Sequence, residues 1–91
     1  YKDVTNELIR GATNYLESSA TIPLDFEVEY SIREVPGAFE IPFLINKFKD
    51  SYDGFLALGC VIRGETYHFE IISNEVTRKI MDLSIDSKKP I

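Results

Sequence analysis

The sequence predicts an α/β domain with a parallel sheet and right-handed crossovers. Three observations carry that expectation. Segments of helical period alternate with segments of strand pattern along the 91 residues, in the order helix, strand, helix, strand, helix. One of the strand segments, Gly54 to Ile62, is apolar on both faces, which is how a strand inside a parallel sheet reads. Turn chemistry separates the elements, most clearly at Pro36-Gly37.

The first element is a helix over Asp3 to Ser18. Val4, Leu8, Ala12 and Leu16 recur every four residues with Ile9 alongside, and Asp3 suits the cap. It reads as an amphipathic covering helix. Phe26 to Ile32 alternates apolar and polar with period two and predicts a strand. Pro36-Gly37 breaks it. A second helix is expected over Phe39 to Lys49, with Ile41, Leu44, Ile45 and Phe48 inward. Pro42 is tolerable only in its first turn, where a missing N–H costs nothing.

Gly54 to Ile62 is the second expected strand. A third helix is predicted over Phe69 to Asp86, with Ile72, Val76, Ile80 and Leu83 inward. Lys88-Lys89-Pro90 ends it, and Ile91 suits the opening of another strand. Two strands cannot cover the apolar faces of three helices, and a doubly buried strand needs neighbours on both sides. Residues 1–91 are therefore expected to be the middle of a larger single domain, with one strand before Tyr1 and another opening at Ile91. The alternative is a small domain completed by other chains.

Composition narrows the function classes. A hydrophobic content of 44% is ordinary for a globular chain and too high for disorder. The net charge is −5 and lysine and arginine do not cluster, so a nucleic acid is not expected as partner. No apolar run approaches the ~20 residues of a membrane helix, and no secretory pattern opens the sequence. The single cysteine, Cys60, forms no internal disulfide and lacks metal-ligand spacing around it, so a reducing, cytoplasmic setting and no metal are expected.

In an open parallel sheet, ligands collect beyond the carboxyl ends of the strands. Two unusual segments fall there: Val35-Pro36-Gly37-Ala38-Phe39-Glu40-Ile41-Pro42 and Arg63-Gly64-Glu65-Thr66-Tyr67-His68. If the two strands are neighbours, both loops face one crevice. The second loop runs into a helix N-terminus, whose N–H groups attract anions and phosphate above all. Gly64 lets a ligand approach the backbone closely. Thr66 can donate or simply cap the helix, and Glu65 is expected to offer backbone only. His68, the sole histidine, lies in the first helical turn; it suits a proton-transfer role, or is an incidental surface residue. Phe39 offers an aromatic face and Glu40 an acceptor, which suits a planar heterocycle bearing N–H groups. Equally, Phe39 reads as core and Glu40 as a first-turn charge. Arg63 reads as a partner for a carboxylate or phosphate, or as a solvated charge. Cys60 reads as packing rather than as a nucleophile.

Together, Val35 to Pro42 and Gly59-Cys60-Val61-Ile62-Arg63-Gly64-Glu65-Thr66-Tyr67-His68-Phe69-Glu70 resemble the lumazine synthase family of riboflavin biosynthesis. The helix around Ser73-Asn74-Glu75 is similar as well, and the likeness covers essentially the whole chain. It implies a three-layer α/β/α sandwich with a flavodoxin-like parallel sheet. It implies a transferase that condenses 5-amino-6-(D-ribitylamino)uracil with 3,4-dihydroxy-2-butanone 4-phosphate, giving 6,7-dimethyl-8-ribityllumazine, phosphate and water, without metal or cofactor. By that resemblance, Ala38, Phe39, Glu40, Cys60, Val61 and Ile62 would hold the pyrimidine, Glu65 and Thr66 would meet the phosphate, and His68 would move protons. It also implies a homopentamer, or a higher assembly of pentamers, with sites between subunits. A noncatalytic relative that binds lumazine or flavin, or builds shells, is the alternative. A fragment of the same fold without specific activity ranks below both.

Overall fold

The computed structural model describes residues 2–18 and 28–91. Helix α1, Lys2–Glu17, carries the expected period. Ile9, Ala12, Thr13 and Leu16 form its half-buried stripe. Val4 and Leu8, expected to share that stripe, are 46% and 39% exposed. Asp3 lies inside the first turn rather than ahead of it, where its carboxylate complements the helix dipole. Arg10 pairs with Glu7 one turn away at 2.6 Å, and the Thr13 hydroxyl donates back to the Ile9 carbonyl at 2.9 Å. The Tyr30 hydroxyl donates to the Glu17 carboxylate. That hydrogen bond raises the phenol above its ordinary value, and desolvation and the charge of Glu17 push the same way.

Of the strand expected over Phe26 to Ile32, Phe26 and Glu27 lie outside the described residues. The remainder, like all of residues 28–35, adopts no regular secondary structure. A period-two pattern sets which side chains face which way; only a hydrogen-bonded neighbour makes a strand. The chain divides into two compact units, residues 1–34 and residues 35–91.

In the second unit, Ala38–Glu40 forms a 3-10 turn and Ile41–Lys47 forms α2. The single helix expected over Phe39 to Lys49 is thus two pieces. Pro42 has no N–H and its ring crowds the turn before it, so the α-helix proper begins at Ile41 with Pro42 in its first turn. Ile45 is 7% exposed, and Ile41, Leu44 and Phe48 are half-buried around it. All four were expected inward. α2 and the 3-10 turn pack against α3, His68–Ser87. Phe69, Ile72, Val76, Ile80 and Leu83 form the half-buried face of α3, spaced by three and four residues.

Gly54 to Ile62, expected as a doubly buried strand, has no regular secondary structure either. Leu56 and Ile62 are exposed, while Phe55, Ala57, Leu58, Cys60 and Val61 are half-buried. The parallel sheet is therefore absent from the described residues. The physical reason is pairing: among the described residues, the one backbone hydrogen bond that ties this segment to a distant one is Phe55 N–H to the Pro90 carbonyl, at 3.0 Å. An apolar run without flanking strands covers what it touches and exposes the rest.

The exit of α3 is firmly tied. Lys88 takes the left-handed conformation that stops the helix, with φ 59° and ψ 35°. The Ser84 hydroxyl donates to the Lys89 carbonyl at 2.7 Å, and the Lys89 ammonium donates to the Lys49 carbonyl. Phe48, Tyr52 and Phe55 meet edge to face, with ring centroids 6.3 Å and 5.8 Å apart. No helix among the described residues is long and apolar enough to cross a membrane.

Candidate functional site

Every candidate residue belongs to the second unit. Ala38, Phe39 and Glu40 make up the 3-10 turn. The bend at Pro36-Gly37 starts it, and Glu40 N–H donates to the Gly37 carbonyl at 3.1 Å. Phe39 is exposed rather than core. With Pro42 it lines one side of an open depression of about 180 Å³, whose other side is Glu75, Val76, Arg78 and Lys79 of α3. Arg78 is 2.6 Å from Glu75 and 3.5 Å from Asp82. The hydrogen bond to Glu75 raises the guanidinium above its ordinary value, as do the charges of Glu75 and Asp82, with desolvation opposing.

Cys60 and Val61 are half-buried and Ile62 is exposed, in the segment leading to the second loop. Gly59, at the start of that motif, approaches Ile41 of α2: a Cβ there would lie 3.9 Å from the Ile41 side chain. The motif's first residues therefore sit beside the helix that follows the 3-10 turn.

Arg63 through His68 are all exposed. His68 opens α3, so its backbone is fixed by the helix while its ring faces solvent. The Thr66 hydroxyl accepts a long hydrogen bond from His68 N–H at 3.4 Å, a local turn contact one position before the N-cap, which is Tyr67 and has no side-chain cap bond. Tyr67 contributes the carbonyl for the first helical bond, from Ile71 N–H at 3.3 Å. A Cβ built on Gly64 meets nothing within 4 Å, and its φ is not positive. Nothing inside the described chain requires glycine there; an open backbone at this point leaves room for a ligand.

Two residues gain roles that sequence reasoning left open. Arg63 pairs with Glu70 at 2.8 Å, and its guanidinium lies 4.9 Å from the centre of the Phe69 ring. Glu70 therefore binds Arg63. Of the residues that face Phe39 across the depression, Glu75 was noted only as part of the family-like helix, and Arg78 and Lys79 were not singled out. Only the docking of the 3-10 turn onto α3 distinguishes them. His68, Glu65 and Thr66 do not line that depression, so the structure groups the candidates as a 38–40 cluster against the middle of α3 and a 63–70 cluster at its start. Among the described residues, no three His, Cys, Asp or Glu side chains gather as a metal would need.

The arrangement supplies a flat aromatic, a carboxylate acceptor, an exposed loop entering a helix N-terminus and one solvent-facing imidazole. Comparison with known proteins gives these parts a common origin. The sequence profile of 6,7-dimethyl-8-ribityllumazine synthase matches residues 1–91. Proteins of that name from Bartonella tribocorum and Agrobacterium fabrum are each 44% identical, over 100% of this chain and 58% and 62% of their own lengths. The protein of that name from Thermococcus kodakarensis is 41% identical over 97% of this chain and 54% of its own. The chain thus spans a little over half the length of these relatives. With the profile matched from one end of the sequence to the other, the chain belongs to the 6,7-dimethyl-8-ribityllumazine synthase family.

Proposed function

We propose that the protein is a lumazine synthase, a transferase that joins 5-amino-6-(D-ribitylamino)uracil to 3,4-dihydroxy-2-butanone 4-phosphate and releases 6,7-dimethyl-8-ribityllumazine, phosphate and water. The observation that carries this reading is the family match over residues 1–91, which includes both loop motifs. An amine condenses with a ketone, phosphate is eliminated, and a second amine closes the ring. Each step needs a proton moved and two reactants held together; none needs a metal or cofactor. Orientation supplies much of the rate.

In this reading the pyrimidine lies on Phe39, with its N–H groups bonded to the Glu40 carboxylate, while Ala38, Cys60, Val61 and Ile62 supply backbone and apolar contacts. The exposure of Phe39 supports this, because an aromatic left uncovered is available for stacking. The phosphate meets the backbone at Glu65 and Thr66, where the open face of Gly64 admits it. His68 passes protons during condensation and elimination. Its solvent-facing ring at a fixed helical position is compatible with that role.

Residues 1–91 are then the central part of a single domain of the three-layer α/β/α type, with a flavodoxin-like parallel sheet. The bond from Phe55 N–H to the Pro90 carbonyl supports pairing of the Gly54 to Ile62 segment with the chain at Pro90-Ile91. The exposed apolar residues Leu56 and Ile62 are consistent with further strands and with neighbouring subunits. The assembly is a homopentamer, or a higher assembly of pentamers, working in the cytoplasm.

The test is lumazine formation from both substrates, with His68→Ala beside the unaltered protein. The expected result is product from the unaltered protein and a turnover about a hundredfold lower in the variant, at the low end of proton-transfer effects. Pyrimidine binding without product would move the protein to the noncatalytic, binding class. Neither binding nor product would sink the reading.

A further inference from the structure

We propose that Arg63 and Glu70 act as one positioning unit, a clamp across the loop from Gly64 to Phe69 that holds His68 and the loop amides in register for turnover. The ion pair differs from every other among the described residues. Arg10–Glu7, Arg78–Glu75, Arg78–Asp82 and Lys79–Asp82 each join two positions of one helix, three or four residues apart. Arg63–Glu70 joins the loop to the helix at 2.8 Å. It is also the least exposed on its acidic side: the Glu70 side chain is 22% exposed, and its second oxygen, Oε2, is shielded from solvent with no hydrogen-bond partner among the described residues. A carboxylate in that position depends on its one cation far more than a surface carboxylate does.

The arginine is fixed twice. Its guanidinium pairs with Glu70 and lies over the Phe69 ring, on the adjacent helical position. A guanidinium set against a ring and paired with a carboxylate at the same time suits arginine better than lysine. Between the two ends of this clamp, the chain has little else to hold it. Gly64 through His68 are exposed, and the internal bonds at the helix start are the long one from His68 N–H to the Thr66 hydroxyl and the bond from Ile71 N–H to Tyr67. His68 sits immediately before the residues that the arginine grips. Loss of the clamp frees the loop from Gly64 onward while α3 stays packed through Ile72, Val76 and Ile80.

The kinetic consequence rests on the lumazine synthase reading, so the test has two readouts. Arg63→Gln, Glu70→Gln and the double variant are compared with the unaltered protein in a double-mutant cycle. One readout is kcat and KM for each substrate. The other, independent of activity, is amide hydrogen exchange at His68 through Ile71. A clamp predicts that each single variant lowers kcat about tenfold, as a misplaced reacting group does, with KM for the pyrimidine unchanged. The double variant is then no worse than the worse single one. Exchange rises several-fold at His68 through Ile71 in all three variants and stays level beyond Val76. Effects on kcat that multiply, or a raised KM for the phosphate substrate confined to Arg63→Gln, would overturn the clamp; the latter would mean that the arginine touches phosphate directly. Unchanged exchange would overturn it too. If the unaltered protein makes no lumazine, the activity reading falls by itself, and the proposed kinetic role with it; exchange then still decides whether the loop is clamped.

Discussion

The two ends of α3 are held by different physics. At its C-terminal end, Lys88 turns left-handed, Ser84, Lys89 and Phe55 each complete a bond to a backbone carbonyl, and Phe55 also meets Tyr52, and Tyr52 meets Phe48, edge to face. At its N-terminal end the loop is exposed, one hydroxyl makes a long bond to the His68 N–H, and among the described residues a single ion pair spans the gap. Neutral backbone bonds and apolar contacts are not screened by salt; an ion pair with an exposed arginine is. The difference teaches how one helix serves two purposes. Its far end is anchored to the body of the unit, while its near end stays uncovered, at the loop where we propose that the phosphate binds.

Substitutions that break the anchored end should cost stability and leave the loop chemistry alone. The largest effect is expected from Tyr52→Ala. The Tyr52 ring lies edge to face with Phe48 and Phe55, at centroid separations of 6.3 Å and 5.8 Å, and it is half-buried. Truncating a fully buried aromatic costs roughly 3–5 kcal/mol, so a half-buried one should cost about 2 kcal/mol. Denaturant unfolding measures this directly. A change under about 0.5 kcal/mol would mean that the aromatic group is not what anchors this end.

Gly54→Ala should come next. A Cβ there would lie 3.2 Å from the Pro90 ring and 3.3 Å from the Pro90 carbonyl oxygen. The ring and the backbone oxygen both have to give way, and the neighbouring Phe55–Pro90 bond limits how far they can move. Overpacking of this kind costs about 1–2 kcal/mol. Unfolding that starts at lower denaturant, with an unchanged slope, is the expected reading. A neutral outcome would show that the chain at Pro90 is free to shift.

Helices were legible in the sequence because their period depends only on the chain itself. Ile45 and its neighbours, and the face of α3 through Ile72, Val76, Ile80 and Leu83, fall where the spacing places them. The sheet was not recovered. The pattern of Gly54 to Ile62 records what such a segment is suited to, whereas a ladder needs a second backbone, and Phe55 alone meets one. Within the site, the Gly64-Glu65-Thr66 loop and His68 stood out by residue type. The pairing of Arg63 with Glu70 did not, because a separation of seven residues across a loop follows no local rule. The same holds for Phe39 facing Arg78 and Lys79, which only tertiary packing brings together.

Gly64→Ala sharpens the comparison most, since its expected effect on stability is the smallest. Neither Gly54 nor Gly64 has a positive φ, so alanine is not strained by the backbone at either site. The two differ in what surrounds them: Pro90 crowds one, and nothing within 4 Å surrounds the other. Alanine at position 64 should therefore leave stability unchanged or raise it by up to about 0.5 kcal/mol, because the unfolded chain loses freedom. If the loop backbone receives a phosphate, the new methyl stands where the ligand approaches, and KM for the phosphate substrate should rise several-fold at constant stability. A variant with unchanged KM would place the phosphate elsewhere. A variant that loses stability would show that the 63–68 loop packs more tightly than its exposure indicates, and the contrast between the two ends of α3 would fail.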